Sequence, residues 1–171
     1  MKIKLLLIIA AMSFLSIVFS QAKEGHKVGP YPAPKVEAVD QDGKAVKLED
    51  HYKQKGFTLV YFYPKASTPG CTAQACSLRD AYEELTKAGV HVIGVSMDKV
   101  ASQKKFAEKN KLPFTLLADP DGNVVKAFKV GSFLGFASRQ AFLIKDGQVV
   151  WHDASASTSE QAADVLKAIK E

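Results

Sequence analysis

Phe57-Thr58-Leu59-Val60-Tyr61-Phe62-Tyr63 runs without a break into Pro64-Lys65-Ala66-Ser67-Thr68-Pro69-Gly70-Cys71-Thr72-Ala73-Gln74-Ala75-Cys76. The first seven residues are apolar or aromatic apart from Thr58, with no polar alternation, as in a strand buried on both faces of a sheet. Pro64 ends that strand, because proline has no N–H for a ladder. Pro69 and Gly70 suit the opening of a helix: proline presets the backbone, and glycine lets a small ligand approach the main chain. The spacing predicts a helix over 68–88, with Ala73, Leu78, Ala81, Tyr82 and Leu85 on one broad side and Gly89 closing it.

The flanking sequence continues this alternation. Residues 90–96 read as a second buried strand, 100–110 as a polar helix anchored by Phe106, and 114–118 as a strand stopped by Asp119-Pro120-Asp121-Gly122. A short helix is expected over 124–128. Strands over 139–145 and 148–152 meet at Asp146-Gly147, a two-residue hairpin signal. Residues 157–170 form a terminal helix with Ala162, Val165, Leu166 and Ile169 at helical spacing. On the N-terminal side, strands over 35–39 and 44–48 flank the turn signal Asp40-Gln41-Asp42-Gly43. Residues 21–34, with Gly25, Gly29 and three prolines, read as an irregular lead-in. The expected domain is therefore an α/β fold with a central mixed β-sheet flanked by helices, over residues 35–171.

The chain has 171 residues, 47% hydrophobic and 24% charged, which suits one domain and excludes disordered, collagenous and coiled-coil classes. Its formal charge is +5, of which Lys2 and Lys4 supply two, and no basic cluster argues for nucleic acid. Residues 1–20 have the layout of a signal peptide: a basic start, an apolar run from Leu5 to Phe19, and small residues near the cut at Ser20/Gln21 or Ala22/Lys23. The run is shorter than the roughly 20 residues that span a bilayer, so an uncleaved anchor is the alternative and stable membrane insertion after cleavage is not expected. The mature protein is then exported, periplasmic or otherwise extracytoplasmic.

Cys71 falls in the first turn of the predicted helix, where free N–H groups and the positive end of the helix dipole favour an anion such as a thiolate. A buried structural cysteine is the plain alternative. Cys76 lies five residues on. In a regular helix that puts the two Cα atoms about 8.7 Å apart, beyond the roughly 7 Å a disulfide can bridge. A bond between them needs the helix start to unwind. The spacing suits a two-step cycle, in which Cys71 is oxidised to a sulfenic acid and Cys76 resolves it. A static disulfide remains open. A metal site finds little support, because no His or Met lies near either cysteine and His26, His51, His91 and His152 are scattered.

The run PKASTPGCTAQAC resembles the active-site motif of peroxiredoxins, Pro-x-x-x-Thr-x-x-Cys, and the second cysteine five residues later resembles the Q-type (bacterioferritin comigratory protein) subgroup. The similarity extends from about Val36 to the end, through LRDAYEELTKAGVHVIGVSMD, LPFTLLADPDG and SRQAFLIKDG. It implies a thioredoxin-like fold and a thiol peroxidase for hydrogen peroxide and organic hydroperoxides, in antioxidant defence, recycled by a thioredoxin-like reductant. Cys71 then resembles the peroxidatic cysteine and Cys76 the resolving one, forming a redox-active Cys71-Cys76 disulfide. Thr68 and Pro64 match the motif, and Arg139 matches the family's arginine on a late strand. Thr68, Gly70 and Arg139 would meet the substrate, since donors facing the leaving oxygen lower the barrier. No cofactor is implied, and the subgroup suggests a monomer. Ala66 and Ser67 stand where many members carry acidic residues.

Plainer readings stand beside these roles. Thr68 could also be an N-cap, and Arg139, apart from the resemblance, reads as a surface charge; Arg79 falls near Cys76 and reads as part of a solvated face rather than a catalytic group. Phe133, Leu134 and Phe136 in the loop 130–138 are core or an exposed patch. Two alternatives compete for the whole chain. A thioredoxin-like protein disulfide oxidoreductase would want two cysteines separated by two residues. A copper-binding module of the same fold would want a cysteine pair three apart and a partner histidine.

Overall fold

The structure is a computed structural model that describes residues 25–170. The expected leader, 1–20, lies outside the described residues. The described residues form an eight-stranded mixed sheet in the order β1-β10-β9-β4-β5-β6-β2-β3. Its strands are β1 (His26–Pro32), β2 (Glu37–Asp40), β3 (Ala45–Lys47), β4 (Phe57–Phe62), β5 (Val90–Ser96), β6 (Thr115–Ala118), β9 (Gln140–Lys145) and β10 (Gln148–Asp153). A separate hairpin pairs β7 (Ser132–Phe133) with β8 (Phe136–Ala137). The helices are α1 (Leu48–Tyr52), α2 (Pro69–Asp80), α3 (Tyr82–Lys87), α4 (Val100–Asn110), α5 (Asn123–Ala127) and α6 (Gln161–Lys170).

β4 is central and buried on both faces, as its composition requires. Leu59, Tyr61 and Tyr63 point into one apolar cluster, with Cys71, Ala75 and Leu78 of α2, Phe106 of α4 and Val165 of α6. Val60 and Phe62 point into the opposite cluster, with Leu48 and Tyr52 of α1 and Val124 and Val125 of α5. β4, β5 and β6 are parallel, whereas β9 runs antiparallel to β4. The register pairs Phe62 with Gln140. The last residue of β4 and the first of β9 therefore share one end of the sheet. The β9–β10 hairpin turns at Asp146 and Gly147, with φ of +50° and +73°, the sign at both central positions that a two-residue hairpin turn needs.

Besides the short helix α1 and the β7–β8 hairpin, where the sequence reading placed no helix or strand pair, three features differ from it. The expected lead-in, 21–34, contains β1, which pairs antiparallel with β10 from His26 opposite His152 to Pro32 opposite Gln148. β1 is an edge strand exposed along most of its length, so its sequence carries no hydrophobic alternation, and its two prolines are tolerated there. The helix expected over 68–88 is broken at Ala81, where φ/ψ of −93°/7° leaves the α region, and α3 starts at the next residue. The terminal helix begins at Gln161 rather than 157, because Ser157 uses its hydroxyl to accept from the N–H groups of Ser159 and Glu160 in a turn.

Tyr61 ties the sheet to the helix layer and constrains its neighbour Gly94 on β5. A Cβ added at Gly94 would lie 2.7 Å from Leu116 Cδ2 and 2.8 Å from Tyr61 Cζ and Oη. Gly94→Ala is expected to lower stability by about 1–3 kcal/mol through overpacking, read as the midpoint of chemical denaturation. An unchanged midpoint would show that the Tyr61 ring moves aside freely.

Candidate active site

α2 begins where β4 ends. Tyr63 leaves the sheet with its N–H on Val95 O at 3.1 Å, and Pro64 follows. The loop to the helix is held firmly. Ala66 N–H donates to Asp98 Oδ2 at 2.7 Å, and Ser96 Oγ donates to the same oxygen at 2.8 Å. Tyr63 O–H donates to Gln103 Oε1, whose Nε2 donates to Ser96 Oγ at 3.0 Å and Leu117 O at 2.7 Å. Ser67 holds a left-handed backbone, φ +63°, a strained state for a non-glycine residue that this anchoring maintains.

Thr68 stands at the N-cap position of α2 with an extended backbone. Its hydroxyl does not cap the helix but donates to Lys65 O at 3.0 Å, so its lone pairs remain available to accept. The first helical bond runs from Thr72 N–H to Thr68 O at 2.8 Å. The N–H groups of Gly70 and Cys71 precede that ladder and belong to the positive end of the helix.

Cys71 is 1% exposed and faces the sheet. Arg139 Nη2 donates to its Sγ at 3.4 Å, while Nη1 donates to Gln74 Oε1. The β4–β9 register makes this possible: Arg139 immediately precedes Gln140, which pairs with Phe62 one residue before Tyr63. Arg139 is thus a fixed cation within hydrogen-bonding distance of the sulfur. A cleft of 510 Å³, lined by Arg139, Ser155, Ala156, Ser157, Thr158 and Glu160 among others, opens beside it. Tyr61 and Tyr63 lie in the same buried cluster as Cys71, and burial pushes both phenols well above their ordinary range, so they remain neutral. The Tyr61 hydroxyl has no hydrogen-bond partner among the described residues.

Cys76 is half-buried on the same unbroken helix as Cys71, and neither cysteine is in a disulfide. Arg79 does not reach Cys71. Its Nε and Nη2 meet Asp80 Oδ1 at 2.8 and 2.7 Å, and its Nη1 donates to Asn110 O at 2.8 Å. Asp80, and more weakly Cys76, push its guanidinium up. Pro64 lies in the loop between β4 and α2. Phe133, Leu134 and Phe136 resolve as an exposed patch, 77%, 78% and 42% exposed, with Lys65 Nζ 5.5 Å from the Phe136 ring centre. The sequence reading gave no role to Gln74, Gln161 or Asp98. Gln74 was inside the motif, three residues after Cys71, and therefore on its side of the helix.

A buried free thiol in the first turn of a helix, with an arginine brought to it across a mixed sheet, is an arrangement that fits a thioredoxin-like thiol enzyme. Comparison with known proteins agrees. The model of the AhpC/TSA family matches residues 31–152. The chain is 48% identical over 147 residues to Peroxiredoxin Bcp of Escherichia coli, covering 81% of this chain and 93% of that protein. It is 42% identical to chloroplastic Peroxiredoxin Q of Arabidopsis thaliana, covering 83% of this chain and 63% of that one. Among solved structures, Peroxidoxin BcpB of Mycobacterium tuberculosis superposes with a TM-score of 0.72 at 32% identity, over 86% of this chain and 96% of that chain. The bacterioferritin comigratory protein of Xanthomonas campestris gives 0.71 at 31% identity, over 79% and 90%. The chain belongs to the AhpC/TSA family. It is a thiol-dependent peroxidase, an oxidoreductase acting on peroxides.

Arg139→Ala is expected to slow peroxide attack by at least about tenfold, since a charge-assisted contact to the sulfur is lost. Stopped-flow oxidation and iodoacetamide labelling of Cys71 at neutral pH should fall together. Wild-type labelling in the variant would exclude Arg139 as a group that activates the Cys71 sulfur.

Proposed function

We propose that Cys71 is the peroxidatic nucleophile, Cys76 the resolving thiol, and Thr68, Gly70, Arg139 and Pro64 the setting for the peroxide. The observation that carries this is the 3.4 Å contact of Arg139 Nη2 with Cys71 Sγ at the open N-terminus of α2. The Cys71 thiolate attacks the outer oxygen of a hydroperoxide. An S–O bond forms, the O–O bond breaks, and the departing alkoxide takes a proton to leave as alcohol, or as water from hydrogen peroxide. Charge grows on that departing oxygen, and the Arg139 guanidinium and the N–H groups of Gly70 and Cys71 are donors placed to meet it. Thr68 Oγ1, its own proton given to Lys65 O, accepts from the peroxide O–H. The sulfur is now oxidised by two electrons to a sulfenic acid.

Cys76 then attacks the Cys71 sulfur. An S–S bond forms, and hydroxide leaves as water with the Cys76 proton. Both residues sit on one regular helix, so α2 unwinds for this step. A thioredoxin-like dithiol returns two electrons and two protons by exchange. The resolving cysteine is in the same chain, so the cycle needs no second subunit and the protein acts as a monomer. The basic start and apolar run of residues 1–20 support export, and among the described residues no helix is long and apolar enough to cross a membrane. Sequencing the N-terminus of the exported protein should read Gln21 or Lys23; a retained Met1 would identify an anchor instead.

Cys71→Ser is expected to abolish turnover, because a hydroxyl is a far weaker nucleophile than a thiolate. Cys76→Ser should keep the first reaction with peroxide, lose turnover with a thioredoxin-type donor, and accumulate sulfinic acid at high peroxide. Hydrogen exchange over residues 70–80 should be faster in the oxidised wild type than in the reduced form. Equal protection with a confirmed Cys71-Cys76 bond would contradict unwinding.

A further inference from the structure

Gln161 is the first residue of α6, 1% exposed, and far in sequence from the cysteines. Its Oε1 accepts from Nε2 of Gln74, which is 0% exposed and lies on α2 between Cys71 and Cys76. Gln74 Oε1 in turn accepts from Arg139 Nη1, and Arg139 Nη2 reaches Cys71 Sγ. A buried chain of amides thus runs from α6 through α2 to the guanidinium that faces the reactive sulfur.

The direction of this chain is fixed by chemistry. Arginine only donates, so Gln74 must turn its oxygen to Arg139 and its NH₂ group away. That NH₂ needs an acceptor in the interior, and Gln161 Oε1 supplies it. Gln161 must then turn its own NH₂ where no partner stands among the described residues. An unmade buried hydrogen bond is costly, and water would make it good if the contact opened. The same segment holds α2 at two further points. One is a hydrogen bond, Ser77 Oγ donating to Ser159 O at 2.9 Å; the other is close approach, since Thr158 and Arg139 are the side chains that any Cβ at Gly70 would meet.

We propose that Gln161 is a positioning residue that sets the balance between the two states of α2. With the Gln74–Gln161 contact made, Gln74 is oriented, Arg139 is aimed at Cys71, and the helix is folded for peroxide attack. Closing the disulfide unwinds the stretch containing Gln74, so this contact must break before Cys76 can reach Cys71. Gln161 therefore favours the first chemical step and opposes the second. The unpartnered NH₂ group keeps the closed contact from being too tight to release. This inference rests on the assignment of Cys71 and Cys76 as the peroxidatic and resolving pair.

The test compares wild type, Gln161→Met and Gln161→Glu by rapid quench and mass spectrometry, which resolves sulfenic acid, disulfide and sulfinic acid. Gln161→Met keeps the length of the side chain but removes the acceptor. Its Cys71 should be oxidised about fivefold more slowly, the scale of one lost hydrogen bond, and its disulfide should close faster by a similar factor. It should also resist overoxidation at high peroxide. Gln161→Glu retains an acceptor for Gln74 Nε2 and should keep a wild-type first step. Both steps slowed in Gln161→Met, or both unchanged, would overturn the proposal, since a merely structural role does not move them in opposite directions. A Gln161→Glu variant that behaves as Gln161→Met would also overturn it. If wild type forms no Cys71-Cys76 disulfide at all, the two-cysteine reading fails and the proposal with it. If wild type forms it and Gln161→Met matches wild type, only the role of Gln161 fails.

Discussion

The contact between the Arg139 guanidinium and the Cys71 sulfur is the interaction on which the rest of the site depends. The two residues are 68 apart in sequence. They meet because β9 inserts beside β4 in antiparallel register, setting Gln140 opposite Phe62. A shift of one residue would turn Arg139 to the other face of the sheet. The apolar composition of β4 therefore has a chemical consequence. Clusters on both faces lock the strand in place, and through its neighbour they lock the cation.

The helix whose N-terminus holds Cys71 also keeps the second thiol away. Five residues of regular helix put the two Cα atoms farther apart than a disulfide spans. The fold appends a boundary to this conflict. α2 stops at Asp80, Ala81 leaves helical geometry, and Arg79 ties the end of α2 to Asn110 at the end of α4. Unwinding from the N-terminus thus meets a fixed point before α3. Helix ends open more readily than helix centres, and here the opening end carries the chemistry.

The central strand, the β9–β10 hairpin and Cys71 at a helix start were legible because each rests on a local signal: an unbroken apolar run, Asp146-Gly147, and Pro69-Gly70 before a cysteine. Arg139 was found through resemblance rather than any local property. β1 was missed because neither of its faces is buried, so period-two patterning never arises. The break at Ala81 was missed because alanine favours helix and carries no local signal of a break. Gln161 was out of reach. Its partner is 87 residues away, and a glutamine at a helix start has no local mark that separates a buried acceptor from a solvated side chain.

The use of amides rather than carboxylates around Arg139 follows from what the guanidinium has to do. A carboxylate at position 74 would orient Arg139 as well as Gln74 does, and more strongly. It would also neutralise the cation about one hydrogen bond from the sulfur that needs it. In the proposed mechanism, an uncharged oxygen holds the fork in place and leaves its charge to the thiolate and then to the departing oxygen. The burial of Gln74 sharpens this distinction, because charge compensation acts most strongly where water is excluded. The neutral relay from Gln161 through Gln74 extends that logic outward. It transmits position across the helix layer without transmitting charge, so the arrangement can be tightened or released while the electrostatics at Cys71 remain set by Arg139 and the helix N-terminus.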